Sequence, residues 1–246
     1  MDPKTVAVLL PTKGRYEALT RSLFSLVETV NADCLEIVVV ADCDAESHEI
    51  ATRFSRKNEF ADFKTILSCS RLYPVPAFLR ALSYCESYYI TFMNDENTYD
   101  PLWLDMALFN FDRFFPDGVG VLSLFKKKKA GLGITTRDFI EYNEGELFHD
   151  GYRVAYNDDE LTCRAILLGR YAWLENSGIF HDTEITNSIP IIPPKEKIKM
   201  KKADRGLFYK RSEANFYLPK EKLYEWPGFV SPVIRLLKGG SDCGSS

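Results

Sequence analysis

The sequence predicts an α/β fold in which a mainly parallel sheet is flanked by helices on both faces. Two observations support this prediction. Short runs that are apolar throughout, such as residues 5–10 and 35–41, are typical of strands buried on both sides. Segments with apolar side chains at helical spacing, such as residues 16–30, lie between them. Because strands that alternate with helices form right-handed βαβ units, we expect one parallel sheet in the first half.

Each element of the first half has its own signal. The strand over residues 5–10 stops at Pro11, and the strand over residues 35–41 is rich in β-branched residues. The helix after the first strand places Leu19 and Leu23 on one face. The remaining predicted elements are a polar helix over residues 45–56, a strand over 63–68, a helix over 75–87 and a strand over 88–92. We expect the four strands to be neighbours in one sheet.

Length and composition describe one large domain or two small ones. The chain has 246 residues, of which 46% are hydrophobic and 27% are charged, as in ordinary globular proteins. Its net charge of −4 argues against a general nucleic-acid binder. No segment reaches the roughly 18 apolar residues of a membrane span, and the start lacks a signal-peptide pattern. The six cysteines form no CxxC pair, so we expect a reduced, cytoplasmic protein.

Three polar clusters follow three of the predicted strands. They are residues 11–15, 42–44 and 94–96, the last reading Asn-Asp-Glu. The carboxyl ends of parallel strands meet at one edge of a sheet, where ligands bind. No glycine-rich phosphate loop is present after the first strand. A divalent cation held by carboxylates could instead neutralise a bound diphosphate.

Five motifs, taken in order, resemble the family 2 glycosyltransferases. They are "VAVLLPTKGR", "EIVVVADCDAES", "YYITFMNDENTYDPLWL", "LFHDGYRVAYNDDELTCRAILLG" and "SGIFHD", which together span roughly residues 5–185. The resemblance implies the GT-A fold, a Rossmann-like α/β fold in one catalytic domain. Two positions depart from the family pattern. Asn94 stands at the first position of the DxD motif, and Ala41 replaces one of the paired acids that are often found after the second strand of the family.

The resemblance also implies a domain organisation. We expect a catalytic domain over residues 1–187, with a nucleotide-sugar half over about 1–105 and an acceptor half over about 106–187. Residues 188–246 would form a C-terminal extension that packs on the core or contacts the acceptor. Its "IPIIPPKEKIKMKK" stretch is interpreted as an extended arm, and the "KKKKAGLG" stretch as a mobile loop over the site.

The implied activity is sugar transfer from a nucleotide-diphospho-sugar, with UDP as the expected nucleotide, to an acceptor hydroxyl. It would be metal-dependent, with Mn²⁺ or Mg²⁺, and would invert the anomeric configuration. The residues expected to bind the nucleotide are Pro11, Thr12, Arg15, Asp42, Asn94 and Asp95, and the expected metal ligands are Glu96, Asp95 and His181. Asp182 is a weaker candidate ligand.

An inverting transferase also needs a general base that removes the proton of the acceptor hydroxyl. Asp158, Asp159 and Glu160 lie at the start of a predicted helix that ends at Leu168. Acids at this position also stabilise a helix through its dipole, without any catalytic role. The family pattern, counted back from Arg164, selects Asp158.

Two other classes of function stay open on the sequence. A nucleotidyltransferase has a similar strand order, although it usually carries a glycine- and arginine-rich loop after the first strand. A catalytically inactive nucleotide-sugar binding module is compatible with Asn94 in the DxD position. The sequence does not identify the acceptor, which could be a glycan, a protein, a small molecule or a modified nucleic-acid base.

Overall fold

The structure, a computed structural model, describes residues 5–30, 34–58, 62–125, 129–181 and 192–224. Its strands are β1 Val6–Thr12, β2 Leu35–Ala41, β3 Phe63–Leu67, β4 Tyr89–Phe92, β5 Asn97–Tyr99, β6 Val121–Ser123, β7 Gly133–Thr136, β8 Tyr171–Trp173 and β9 Ile179–His181. Its helices are α1 Tyr16–Thr29, α2 Ala45–Asn58, α3 Pro74–Leu82, α4 Trp103–Phe114, α5 Arg137–Tyr142, α6 Asn157–Leu167 and α7 Pro194–Glu213.

The central sheet has seven strands in the order β3-β2-β1-β4-β7-β6-β8. The prediction that the first four strands are neighbours is confirmed, and they pair in parallel. Strand β7 pairs antiparallel with both β4 and β6, so it alone runs opposite to the others. The mainly parallel sheet predicted from the sequence is therefore present.

Helices cover both faces of the sheet because alternate residues of each strand point to opposite sides. Ala7 and Leu9 of β1 face a core that includes residues of α3, α5 and α6. Val6, Val8 and Leu10 face a second core, built with α1, α2 and α4. No helix in the described ranges is long and apolar enough to cross a bilayer.

A second, two-stranded sheet joins β5 to β9 in antiparallel register. Asn97 pairs with His181 at one end of this sheet, and Tyr99 pairs with Ile179 at the other. The pairing carries His181 to the turn that follows β4, although 84 residues of chain separate it from Asn97. This small sheet therefore links the acid cluster at residues 94–96 to the second half of the chain.

Two predicted elements differ from the structure. Helix α3 ends at Leu82 and not at residue 87, because the buried Glu36 carboxylate accepts the backbone N–H groups of Glu86 and Ser87. Those amides are thereby unavailable to a continuing helix. The predicted extended arm begins with residues 189–191, which lie outside the described residues; from Pro194 onward it forms the 20-residue helix α7, and proline is favoured in the first helical turn.

Candidate active site

The carboxyl ends of β1, β2 and β4 border a cavity of about 220 Å³. All six residues that the sequence assigns to nucleotide binding line it, and Glu96 does too. The structure adds lining residues that the sequence did not assign to nucleotide binding: Lys13, Arg71, Tyr73, Pro74, Ala77, Phe78 and Val154. This cavity is called the donor cavity below.

A buried pair of acids closes the donor cavity at the end of β4. Asp95 and Glu96 are only 4% and 3% exposed. The Asp95 carboxylate accepts a hydrogen bond of 2.8 Å from the Thr12 hydroxyl and one of 2.9 Å from Arg15 Nη1. The same guanidinium nitrogen also contacts Glu96. Burial and the adjacent Glu96 raise the pKa of Asp95, while Arg15 and Thr12 oppose that rise. Arg15 thus supplies the positive charge that two adjacent buried acids need.

The turn around these acids is fixed by asparagines. The side-chain oxygen of Asn97 accepts the backbone N–H of Asn94 at 2.7 Å, and the Asn97 N–H is donated to the Asn94 carbonyl at 3.2 Å. Asn97 is fully buried and begins β5. The Asn-Asp-Glu sequence is therefore held in one conformation by its own backbone and by the small second sheet.

His181, which the sequence analysis names as a possible metal ligand, lies next to Glu96. Its Nε2 is 3.7 Å from Glu96 Oε1, which is close enough for both atoms to bind one cation. Each oxygen of Asp95, in contrast, already accepts a hydrogen bond from Thr12 or Arg15. Within the described residues, no group of three or more His, Cys, Asp or Glu side chains could hold a metal ion. Asp182 lies outside the described residues.

Asp42 has a different environment from the one that the sequence suggested. Its carboxylate accepts the backbone N–H groups of Leu72 at 2.6 Å and Tyr73 at 3.0 Å, and it pairs with Arg71 at 2.8 Å. Tyr73 has a φ of +71°, an uncommon conformation for a residue with a side chain, immediately before Pro74 at the start of α3. Asp42 therefore holds the loop that presents Arg71 and Tyr73 to the donor cavity.

A second cavity, of about 240 Å³, adjoins the first. The two cavities share Pro74, Phe78, Asn94 and Val154 in their walls. Asp158 lines the second one, which is called the acceptor-side cavity below. Burial and the neighbouring Asp159 raise the pKa of Asp158 to about 6, although Lys129 acts in the opposite direction.

The structure separates the three acids at the start of α6. Glu160 is 2% exposed, and its carboxylate binds Arg211 through two nitrogens and accepts a hydrogen bond of 2.6 Å from Tyr152. Asp159 pairs with Lys129. Of the three, only Asp158 lines the acceptor-side cavity.

Helix α7, which belongs to the predicted C-terminal extension, contacts residues of both cavities. Near its start, Glu196 accepts a hydrogen bond from the Tyr73 hydroxyl. In its middle, the buried Asp204 accepts the backbone N–H groups of residues 153–155, which include the cavity residue Val154. Near its end, Arg211 binds Glu160. Residues 194–213 of the predicted C-terminal extension thus pack on the core beside the site.

The chain belongs to glycosyl transferase family 2, because the family model of that name matches residues 7–176. A comparison with curated protein sequences finds no match. Among solved structures, the fold is similar to that of a mannosyltransferase, PcManGT from Pyrobaculum calidifontis, in complex with GDP-Man and Mn²⁺. That match has a TM-score of 0.60 at 15% identity and covers 96% of this chain and 79% of the other.

The fold is also similar to S. aureus TarS. Residues 1–349 of TarS in complex with UDP-GlcNAc match with a TM-score of 0.58 at 18% identity, over 78% of this chain and 63% of that one. The match to a longer TarS chain covers 69% of this chain but only 35% of TarS. These similarities confirm the GT-A fold that the sequence motifs predicted.

Proposed function

We propose that this chain transfers a sugar from a nucleotide-diphospho-sugar to an acceptor hydroxyl in a metal-dependent, inverting reaction. The observation that carries the proposal is the pair of adjoining cavities. One of them ends at the acids Asp95 and Glu96, and the other is lined by Asp158. A single displacement needs this arrangement, because donor and acceptor must meet between the diphosphate site and the base.

On the donor side, Thr12, Arg15 and Asp95 form one hydrogen-bonded unit at the end of β1 and β4. We assign this unit to the ribose and diphosphate, with Arg71 and Tyr73 beside the nucleobase. Glu96 and His181 would hold Mn²⁺ or Mg²⁺. When bound, the cation neutralises charge that develops on the departing diphosphate.

On the acceptor side, Asp158 takes the proton of the acceptor hydroxyl as its oxygen attacks the anomeric carbon. The bond from that carbon to the diphosphate oxygen breaks in the same step, so the configuration inverts. A pKa of about 6 leaves roughly nine in ten Asp158 side chains ionised at pH 7, while keeping them more basic than an ordinary aspartate. Glu160 is committed to Arg211 and does not act as the base.

The test is a panel of UDP- and GDP-sugars incubated with the protein, with and without Mn²⁺. Mass spectrometry identifies the sugar released to water or to added acceptors, and NMR records the anomer first formed. We expect consumption of one donor, dependent on the metal, with inversion. Binding without consumption would favour an inactive binding module, and retention of configuration would contradict the single displacement. Release of pyrophosphate from a nucleoside triphosphate and a sugar phosphate would favour a nucleotidyltransferase.

A further inference from the structure

Helix α7 carries a stripe of residues on its inward face that continues past the part buried against the core. Its buried residues are Asp204, Phe208 and Arg211, at helical spacings of four and three. Lys201 and Lys197 extend the same stripe by three and then four residues toward the start of the helix. Both lysines are exposed to solvent, so this part of the stripe is not buried against the core.

The start of α7, which carries these lysines, lies beside the donor cavity. Glu196, which adjoins Lys197, accepts a hydrogen bond from the cavity residue Tyr73. Partial desolvation and the positive charges of Lys201 and Arg15 lower the pKa of Lys197, in agreement with a position of Lys197 near the donor cavity. Like charges approach in this way at some cost, and a bound anion would offset it.

The other cations around the cavity already have partners. Arg15 pairs with Asp95 and Glu96, and Arg71 pairs with Asp42. Lys13 donates to the backbone carbonyls of residues 42 and 43. Among the described residues, no carboxylate forms an ion pair with Lys197 or Lys201. Among the described residues near the cavity, Lys197 and Lys201 can therefore engage an incoming anion without giving up an ion pair.

We propose that Lys197 and Lys201, together with Arg15, form a cationic group that binds the diphosphate of the nucleotide donor. The inference rests on the proposed function and assigns the diphosphate a contact outside the family match, which ends at residue 176. It gives α7 a direct part in donor binding in addition to its packing. Lysine is suited to this position, because its ammonium on a long flexible stem can reach an anion across a cleft.

The experiment compares the double variant Lys197→Ala/Lys201→Ala with the wild type by titration calorimetry, using UDP, GDP, UMP and GMP in buffer with Mn²⁺. The matched control is Lys199→Ala, because Lys199 lies about 200° around the helix from Lys197 and faces away from the core. We expect the double variant to bind the preferred diphosphate about tenfold more weakly, from two partly screened charge contacts. Binding of the monophosphate should fall much less, and Lys199→Ala should match the wild type.

The outcomes separate this inference from the proposed function. If the wild type binds neither diphosphate and consumes no nucleotide-sugar, the proposed function fails, and this inference fails with it. If the wild type binds a diphosphate and the double variant binds it equally well, only the lysine assignment is overturned. An equal loss for mono- and diphosphate would also overturn it. Thermal unfolding of each variant checks that α7 stays packed on the core. The substitutions should not destabilise the helix itself, because lysine and alanine are both good helix formers.

Discussion

Replacing Asp158 by Asn tests the proposed base, and the structure predicts an unusual combination of effects. Transfer should fall by on the order of 10²–10⁴-fold, because an amide cannot accept the proton of the acceptor hydroxyl. The fold, in contrast, should become more stable. Burial and Asp159 raise the pKa of Asp158 from 3.8 to about 6, so the native protein holds this carboxylate in an unfavourable charged form at pH 7. The difference corresponds to at most ~3 kcal/mol, which a neutral Asn would recover.

The sign of the pH dependence follows from the same shift. Between pH 3.8 and about 6 the native state binds more protons at Asp158 than the unfolded state, so this residue's contribution to stability falls as pH rises through that window. Activity should change in the opposite direction, with an acid limb near pH 6 as the base ionises. The Asn variant should lose both dependences.

The matched control is Asp159→Asn. Asp159 pairs with Lys129 and is itself one cause of the raised pKa of Asp158. Removing its charge leaves Lys129 beside Asp158, so the pKa of Asp158 should fall and the acid limb should move to lower pH, with most activity kept. The assays are initial rates of donor consumption from pH 4.5 to 8, and urea unfolding at pH 5 and 7. Near-normal transfer by Asp158→Asn would refute the assignment. So would an acid limb that Asp159→Asn leaves in place.

Three further predictions follow from the contacts of the site and the core. Glu96→Gln should reduce nucleoside diphosphate affinity in Mn²⁺ to its metal-free level, because it removes one of the two proposed metal ligands. Calorimetry with and without the metal measures this effect, and unchanged metal dependence would contradict the assignment. Arg211→Leu should destabilise the fold by about 3–5 kcal/mol in urea titrations, because Glu160 would stay buried without its cation. The control is Arg205→Leu, which should destabilise by less than about 1 kcal/mol because Arg205 is exposed and lies over the Tyr209 ring. Gly133→Ala should destabilise the fold by about 1–3 kcal/mol, since its Cβ would lie 2.7 Å from Phe92 Cζ. Gly206→Ala should stabilise the fold by up to about 1 kcal/mol, because a Cβ at this position on α7 meets no other atom. Changes of the same sign in the free energy of unfolding would refute the packing argument.

The fold was predictable where the sequence pattern is strong. Strands such as Val6–Thr12 and Leu35–Ala41 are buried on both faces, and a continuous apolar run signals that state directly. Helix α7 gave no such signal, because its stripe of Lys197, Lys201 and Asp204 is charged and not apolar. Only contacts made after folding, such as Asp204 with the amides of residues 153–155, show which way it faces. The predicted domain boundaries stay a prediction.

The site was predictable for residues at strand ends and less so for those in connecting loops. Thr12 ends β1 and Asp95 follows the paired strand β4, so the hydrogen bond between them follows from the topology. Arg71 and Tyr73 lie in an irregular loop, and only the positive φ of Tyr73 and its hydrogen bond to Asp42 place them at the cavity. Pro74 was the available signal for a helix start, because proline is favoured in the first helical turn; the positive φ of Tyr73 departs from the extended conformation usual before proline and could not be predicted.

The charges of the donor site explain why two adjacent acids are stable without a bound ligand. They also explain why a bound diphosphate would need further cations. Arg15 contacts both Asp95 and Glu96, so the three residues together carry one negative charge when both acids are ionised. A nucleoside diphosphate would add further negative charge to the same edge of the sheet. Under the proposed function, a divalent cation at Glu96 and His181 and the ammonium groups of Lys197 and Lys201 would approach it from different sides. The residues that would hold the metal belong to the catalytic core, whereas the two lysines belong to α7. Loss of either group should therefore weaken diphosphate binding separately, and their effects should add if the two do not contact each other.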